Sequence, residues 1–171
     1  MRRIITPGLL WFSAIGCGLL AGVYFAFSAF VMTSLGRIAP AAGIAAMNAI
    51  SVDIVTSLFM PLFLGTSLAA ALLAIRGALS WKVRGSIAMC AGGVIYLIGM
   101  TTVTMMFNVP LNDALAAVAP ASSEGTALWT RYLVQWTWWN HVRTIACTVS
   151  TGLFILAIAR RQALVGGIEA S

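Results

Sequence analysis

The stretch WTWWNHVRT, residues 136–144, gathers Asn140, His141 and Arg143 within four positions. His141 is the one histidine of the 171-residue chain. A neutral imidazole accepts a proton near neutral pH. A guanidinium keeps its charge and holds a developing oxyanion through a planar fork of donors. Together they suit a step in which a proton is taken up and negative charge develops on oxygen. Further amides and carboxylates stand apart from them: Asn48 and Asp53, then Asn108, Asn112 and Asp113 in NVPLND.

On a helix, Trp136, Asn140 and Arg143 follow i, i+4, i+7 spacing, and Thr137, His141, Thr144 and Thr148 fall on the adjoining stripe. The two stripes form a polar wedge, expected to face the bundle interior because a lipid-facing Arg or His is costly. Arg143 to Arg160 covers only about 25 Å at 1.5 Å per residue, against roughly 30 Å of hydrocarbon, so this helix is expected to begin near the outer boundary. His141 then lies in the first turn, where the positive dipole end, the guanidinium and partial desolvation disfavour an imidazolium. A plainer reading has His141 and Arg143 as interfacial anchors snorkelling among tryptophans. NVPLND likewise reads as a helix stop, with Asn108 ending a span, Pro110 forbidding continuation, and Asn112 or Asp113 capping the next helix.

These residues sit on an unusually apolar chain. Mean hydropathy is +0.99, with 61% hydrophobic and 8% charged residues, far from a soluble domain. Runs long enough to cross a bilayer occupy about 8–32, 54–75, 86–107 and 144–159. In lipid each must satisfy its own backbone amides, so helices are required, and the alternation of a membrane barrel is absent. The fold expected is all-α: a single-domain four-helix transmembrane bundle with short interfacial helices in the two outer loops. The first run is too long for a signal-peptide core and contains GLLAG, whose Gly18 and Gly22 suit close helix packing.

The formal charge of +6 is a topology code. Arg2, Arg3, Arg76, Lys82, Arg84, Arg160 and Arg161 flank one side of the spans, against Arg37, Arg131 and Arg143 on the other. By the positive-inside rule both termini and the RGALSWKVR loop are cytoplasmic, in an inner-type membrane. This placement argues against a nucleic-acid partner; the partner is the lipid bilayer. Cys17, Cys90 and Cys147 are isolated within spans and read as small packing residues. No metal-ligand spacing occurs, and a haem held by His141 alone is a minor alternative.

The outer connections carry structure of their own. Pro40 opens a short helix through AAGIAAMNAI, and a turn in APASSEG leads to ALWTRYLVQWTWWN. Trp129, Tyr132, Trp136, Trp138 and Trp139 are expected to form an aromatic belt, and Pro61 to kink the second span. Every candidate site residue maps to the outer half.

Several motifs carry a family resemblance. FMPLFLG (Phe59–Gly65), NVPLNDAL (Asn108–Leu115), and Trp136 followed by WNHVRT (Trp139–Thr144) resemble the anthrone oxygenase family of small membrane proteins; AGVYFAFSAFVM and GIAAMNAI resemble its first helix and outer loop. The likeness runs from about Gly16 to Arg160. It implies oxidation of polyketide anthrones to anthraquinones by dioxygen without a flavin or metal, and points to Asn108, Asn112, Asn140, His141 and Arg143. His141 would take the methylene proton, Arg143 and an Asn amide would hold the oxyanion, and the flat apolar aromatic would stack on Trp136 or Trp139. The family loop more often reads Met-Gln-x-Ile-Asn, where this chain has Met47-Asn48-Ala49-Ile50-Ser51. If those amides shape the pocket, the departure implies another substrate or none.

Two function classes therefore stand: a cofactor-independent oxygenase, and a non-catalytic membrane protein that binds a lipid, a quinone or a partner subunit in the same pocket. Proton-coupled export is disfavoured, since no carboxylate lies within a span.

Overall fold

A computed structural model describes residues 2–169 of the chain, with side chains described for residues 6–162. The side chains of Arg2 and Arg3 lie outside the described residues. Helix is the form in which an apolar segment pairs its own amides, and among the described residues there is no strand. Helix α1 comprises Arg2–Ala26, a π-helical turn Phe27–Val31, and Met32–Leu35. Next come α2, Pro40–Thr56, and α3, Phe59–Leu79. Helix α4 runs through Ser86–Tyr96, π-helical Leu97–Thr102 and Thr104–Asn108, and Val109–Ala116. Helix α5 is Ser123–Glu169, 47 residues without a break. Four of these helices are long and apolar enough to cross a membrane: Thr6–Leu35, Phe59–Leu79, Ser86–Ala116 and Ser123–Gln162. The chain is a multi-pass membrane protein.

The long helices form a ring in which α1 and α4 each pack against both α3 and α5. Leu10, Leu20, Leu73, Met89, Tyr96 and Phe154 belong to the central core, while Trp11, Ile15, Leu68, Ile98 and Ile155 point outward, as suits lipid. Gly18 and Gly22 are not the close-packing face expected of GLLAG, because a Cβ at Gly22 would meet nothing within 4 Å. Close backbone packing is found instead between α3 and α4. A Cβ at Gly77 would press on the backbone of Ser86 and Cys90, and one at Gly93 would press on Ala70 and Ala74. The turn between these helices closes at Gly85, whose φ of 82° is left-handed. Cys17 and Cys147 are buried and, with Cys90, unpaired.

A second core lies at the far end, where α2, the end of α4 and the start of α5 meet through Ile44, Met47, Leu115, Trp129, Tyr132 and Trp136. Trp129, Tyr132 and Trp136 share one face of α5 by i, i+3, i+7 spacing and are buried, so the expected aromatic belt is divided. Of that group, Trp138 alone is exposed, at 63%.

Three boundaries differ from the sequence reading. The last long helix begins at Ser123, ahead of the fourth expected span at 144–159, because no proline lies between Glu124 and Thr144. The helix of the second span begins at Phe59, after the expected start at residue 54, since Ser57 adopts extended backbone and separates α2 from α3. Pro61 then falls in the first turn of α3, where its missing N–H leaves no intrahelical bond unmade, and it causes no mid-span kink. NVPLND is not a stop either. The helix widens through Thr104–Asn108, where the N–H of Val109 bonds the carbonyl of Thr104 five residues back, and continues past Pro110 to Ala116. Asn112 and Asp113 therefore cap nothing.

Candidate functional site

At the end of the bundle opposite the α3–α4 turn, a cavity of about 270 Å³ is enclosed by all five helices. This is close to the lower end of the roughly 300–1,000 Å³ typical of small-molecule sites. Its walls are mainly apolar, from Phe27, Met47, Ile54, Phe59, Met60 and Phe63. The polar contribution comes chiefly from α4 and α5: Thr104, Asn108, Asn112, Asp113 and Arg143. Val23, Val55, Met105 and Asp113 all line the cavity and are exposed on the bundle surface, so its mouth is apolar except for one carboxylate. The π-helical turns of α1 and α4 lie at this level and contribute Phe27, Thr104 and Asn108 to the wall.

Arg143 is the deep pole of the cavity and is 5% exposed. Its Nη2 donates to Asn140 Oδ1 at 2.7 Å and its Nη1 to Thr104 Oγ1 at 3.5 Å. The guanidinium carbon lies 4.3 Å from the centroid of the Tyr24 ring and 5.0 Å from that of Trp136. All these partners are neutral. Nε has no hydrogen-bond partner, and no carboxylate pairs with Arg143 among the described residues. A cation at a helix centre in a bilayer costs roughly 2.5–3.5 kcal/mol on insertion scales, and ring faces return about 0.5–2 kcal/mol. The side chain is thus held with charge to spare.

Asn140 holds that geometry. It is fully buried, and its Nδ2 donates to the main-chain carbonyl of Tyr24 and to Ser28 Oγ, each at 2.6 Å. Both partners lie where α1 passes from α-helical to π-helical pairing, so the amide fastens α5 to the disturbed part of the α1 ladder. Asn108 Nδ2 donates to the carbonyl of Trp136 at 3.3 Å, while its Oδ1 is buried without a partner. Tyr132 Oη donates to Asn112 Oδ1 at 2.7 Å and orients that amide.

The expected site residues therefore divide. Asn108, Asn112, Trp136 and Arg143 line the cavity, and Asn140 stands directly behind Arg143. His141 does not join them. Successive residues turn about 100°, so a side chain two positions before Arg143 points nearly opposite to it. His141 is exposed on the outer face of α5. Nor is it in a first turn, being eighteen residues after Ser123, beyond reach of the helix-end dipole. Trp139 stacks on Phe107 with ring centroids 3.8 Å apart, outside the cavity wall. Asn48 is half-buried on α2 and does not line the cavity, whereas its neighbours Met47, Ile50 and Ser51 do.

Tyr24, Ser28 and Thr104 escaped the sequence reading. One signal was available: Tyr24 and Ser28 are polar residues four apart in an otherwise apolar part of the first span. Thr104 carried none, being one of several threonines in its span.

The family model described as anthrone oxygenase matches residues 49–153, more than half of the chain. The matched part contains Asn108, Asn112, Asp113, Trp136, Asn140 and Arg143; Tyr24 and Ser28 precede it. Neither the curated proteins nor the solved structures provide a match.

Proposed function

The chain belongs to the anthrone oxygenase family, and from that premise we propose that its cavity binds a flat aromatic ketone with an acidic ring methylene and promotes its oxidation by dioxygen. The observation that carries this reading is Arg143, a buried guanidinium with neutral partners only, set in a mainly apolar cavity. Such a site discriminates between a neutral ketone and its enolate, because charge on oxygen meets a preorganised cation where water is scarce. Removal of a methylene proton leaves its electron pair delocalised onto the ketone oxygen, against Arg143. The carbanion is then oxidised by dioxygen with formation of a C–O bond, and one proton completes a hydroperoxide. Loss of water from that hydroperoxide breaks the O–O bond and the remaining C–H bond and gives the second carbonyl. One ketone and one dioxygen yield one quinone and one water.

Trp136 and Phe27, with rings 5.6 Å apart, offer apolar faces beside the cation. The mouth at Val23, Val55 and Met105 suits a ligand arriving dissolved in lipid. We assign His141 no step, and His141→Ala is expected to retain oxygen uptake within about twofold; loss of uptake in a well-folded variant would return the base role to the imidazole.

The test uses purified protein in detergent or nanodiscs with 1,8-dihydroxyanthrone as probe. Oxygen uptake and quinone formation are followed against a heat-inactivated control that corrects for spontaneous oxidation. Uptake above the control with equal amounts of dioxygen and quinone supports the oxygenase. Saturable binding without added uptake would assign the cavity to a binding protein instead.

For topology we propose cytoplasmic termini in an inner-type membrane. Of the exposed cations at the cavity end, Arg37 and Arg131 remain once Arg143 is buried in the bundle, which strengthens the charge asymmetry. With Cys90 replaced by Ala, Ser80→Cys is expected to label from the cytoplasmic side and Ser123→Cys from the opposite side. The reverse pattern would overturn the orientation.

A further inference from the structure

We propose that Asp113 is the proton acceptor of this cavity, taking a methylene proton from the aromatic ketone whose oxygen rests on Arg143; the assignment rests on the oxygenase reading above. Asp113 is the one carboxylate among the residues that line the cavity, and neither an imidazole nor a thiol lines it. Every other polar group there fails as an acceptor. Arg143 and the phenol of Tyr24 are donors at neutral pH, and amides and hydroxyls are too weakly basic. The carboxylate of Asp113 has no hydrogen bond or ion pair among the described residues, so no protein donor competes for its lone pairs. It is exposed, which lets it exchange a captured proton with water at the mouth.

Placement along α4 separates the two charges. Thr104, which accepts from Arg143, and Asp113 are nine residues apart on α4, with Asn108, Val109 and Asn112 lining the wall between them. The cation at depth and the anion at the mouth also fix the direction of binding, oxygen inward and methylene outward. In the step itself the C–H bond breaks, the proton joins a carboxylate oxygen of Asp113, and the electron pair moves through the ring system to the oxygen at Arg143. After dioxygen has added, Asp113 returns the proton to the peroxide oxygen.

Proton removal can be read without oxidation. Under anaerobic conditions, 1,8-dihydroxyanthrone deuterated at the methylene loses its label to water, and NMR follows the rate above that of heat-inactivated protein. Asp113→Asn is expected to lower the protein-dependent exchange about 10²–10⁴-fold while anthrone still quenches tryptophan fluorescence at nearly the wild-type concentration. Glu124→Gln, a carboxylate outside the cavity, is expected to exchange normally. Asp113→Ala is expected to recover exchange in proportion to added formate, which supplies the missing carboxylate. Exchange at the wild-type rate by Asp113→Asn, or by Asp113→Ala without formate, overturns the assignment and leaves the oxygenase reading intact. Wild-type protein that binds the probe and does not speed exchange overturns both.

Discussion

Arg143→Met is expected to abolish oxygen uptake with little loss of stability. The two effects separate because the guanidinium is held without a counter-ion. Removing it deletes the preorganised charge that the enolate requires, and loss of one such donor typically lowers a rate about 10²–10³-fold. It also removes a charge that is unfavourable by roughly 2.5–3.5 kcal/mol within a bilayer. Against this stands Asn140 Oδ1, left without its 2.7 Å donor, at about 1–3 kcal/mol. The terms nearly cancel, so thermal unfolding in detergent should shift little while turnover disappears. Arg143→Lys keeps the charge and loses the planar fork, and its rate is expected to fall between those of the Arg143→Met variant and the parent. A large drop in stability with Arg143→Met would mark the residue as a structural strut and remove the basis of the functional reading.

Asn140→Leu is expected to do the reverse, with stability falling first. The amide makes two 2.6 Å bonds to α1 and accepts one from a charged group. Polar contacts between membrane helices contribute roughly 0.6–1.7 kcal/mol each, and a bond to a charged group about 1.5–3 kcal/mol. The low ends of these ranges give a loss of about 3 kcal/mol, large beside the marginal stability of a domain. Unfolding in mixed micelles measures it directly. Activity falls as well, because the free fork of Arg143 no longer has a fixed direction. A variant as stable as the parent would show that Asn140 does not fasten α5 to α1.

The helical class and the number of spans were legible in the sequence because both follow from hydrophobic length, a quantity that needs no neighbours. Asn140 and Arg143 were legible as a polar stripe for the same reason. The orientation of His141 was not. Two stripes adjoin on this helix, and which of them turns inward is set by the contacts of α5 with α1 and α4, which periodicity cannot supply. Pro110 misled because its usual effect assumes an α-helical ladder before it, whereas here the ladder has already changed to π-helical pairing at Thr104–Asn108. Asp113 was visible as a residue and invisible as part of a cavity, since the opposite wall comes from α2 and α3, fifty or more residues earlier in the chain.

The π-helical turns have a genetic consequence. Each equals one residue inserted into an α-helix, so it is created or erased by a change in length rather than by a substitution. Deleting a single codon within residues 29–31 restores α-helical pairing in α1 and turns whatever precedes the deletion by about 100° relative to whatever follows it. Tyr24 would leave Arg143, although every residue of the wall would still be encoded. Divergence of substrate in such a protein can therefore proceed by gain or loss of one residue in a span, an event that composition and residue identity at the remaining positions do not record.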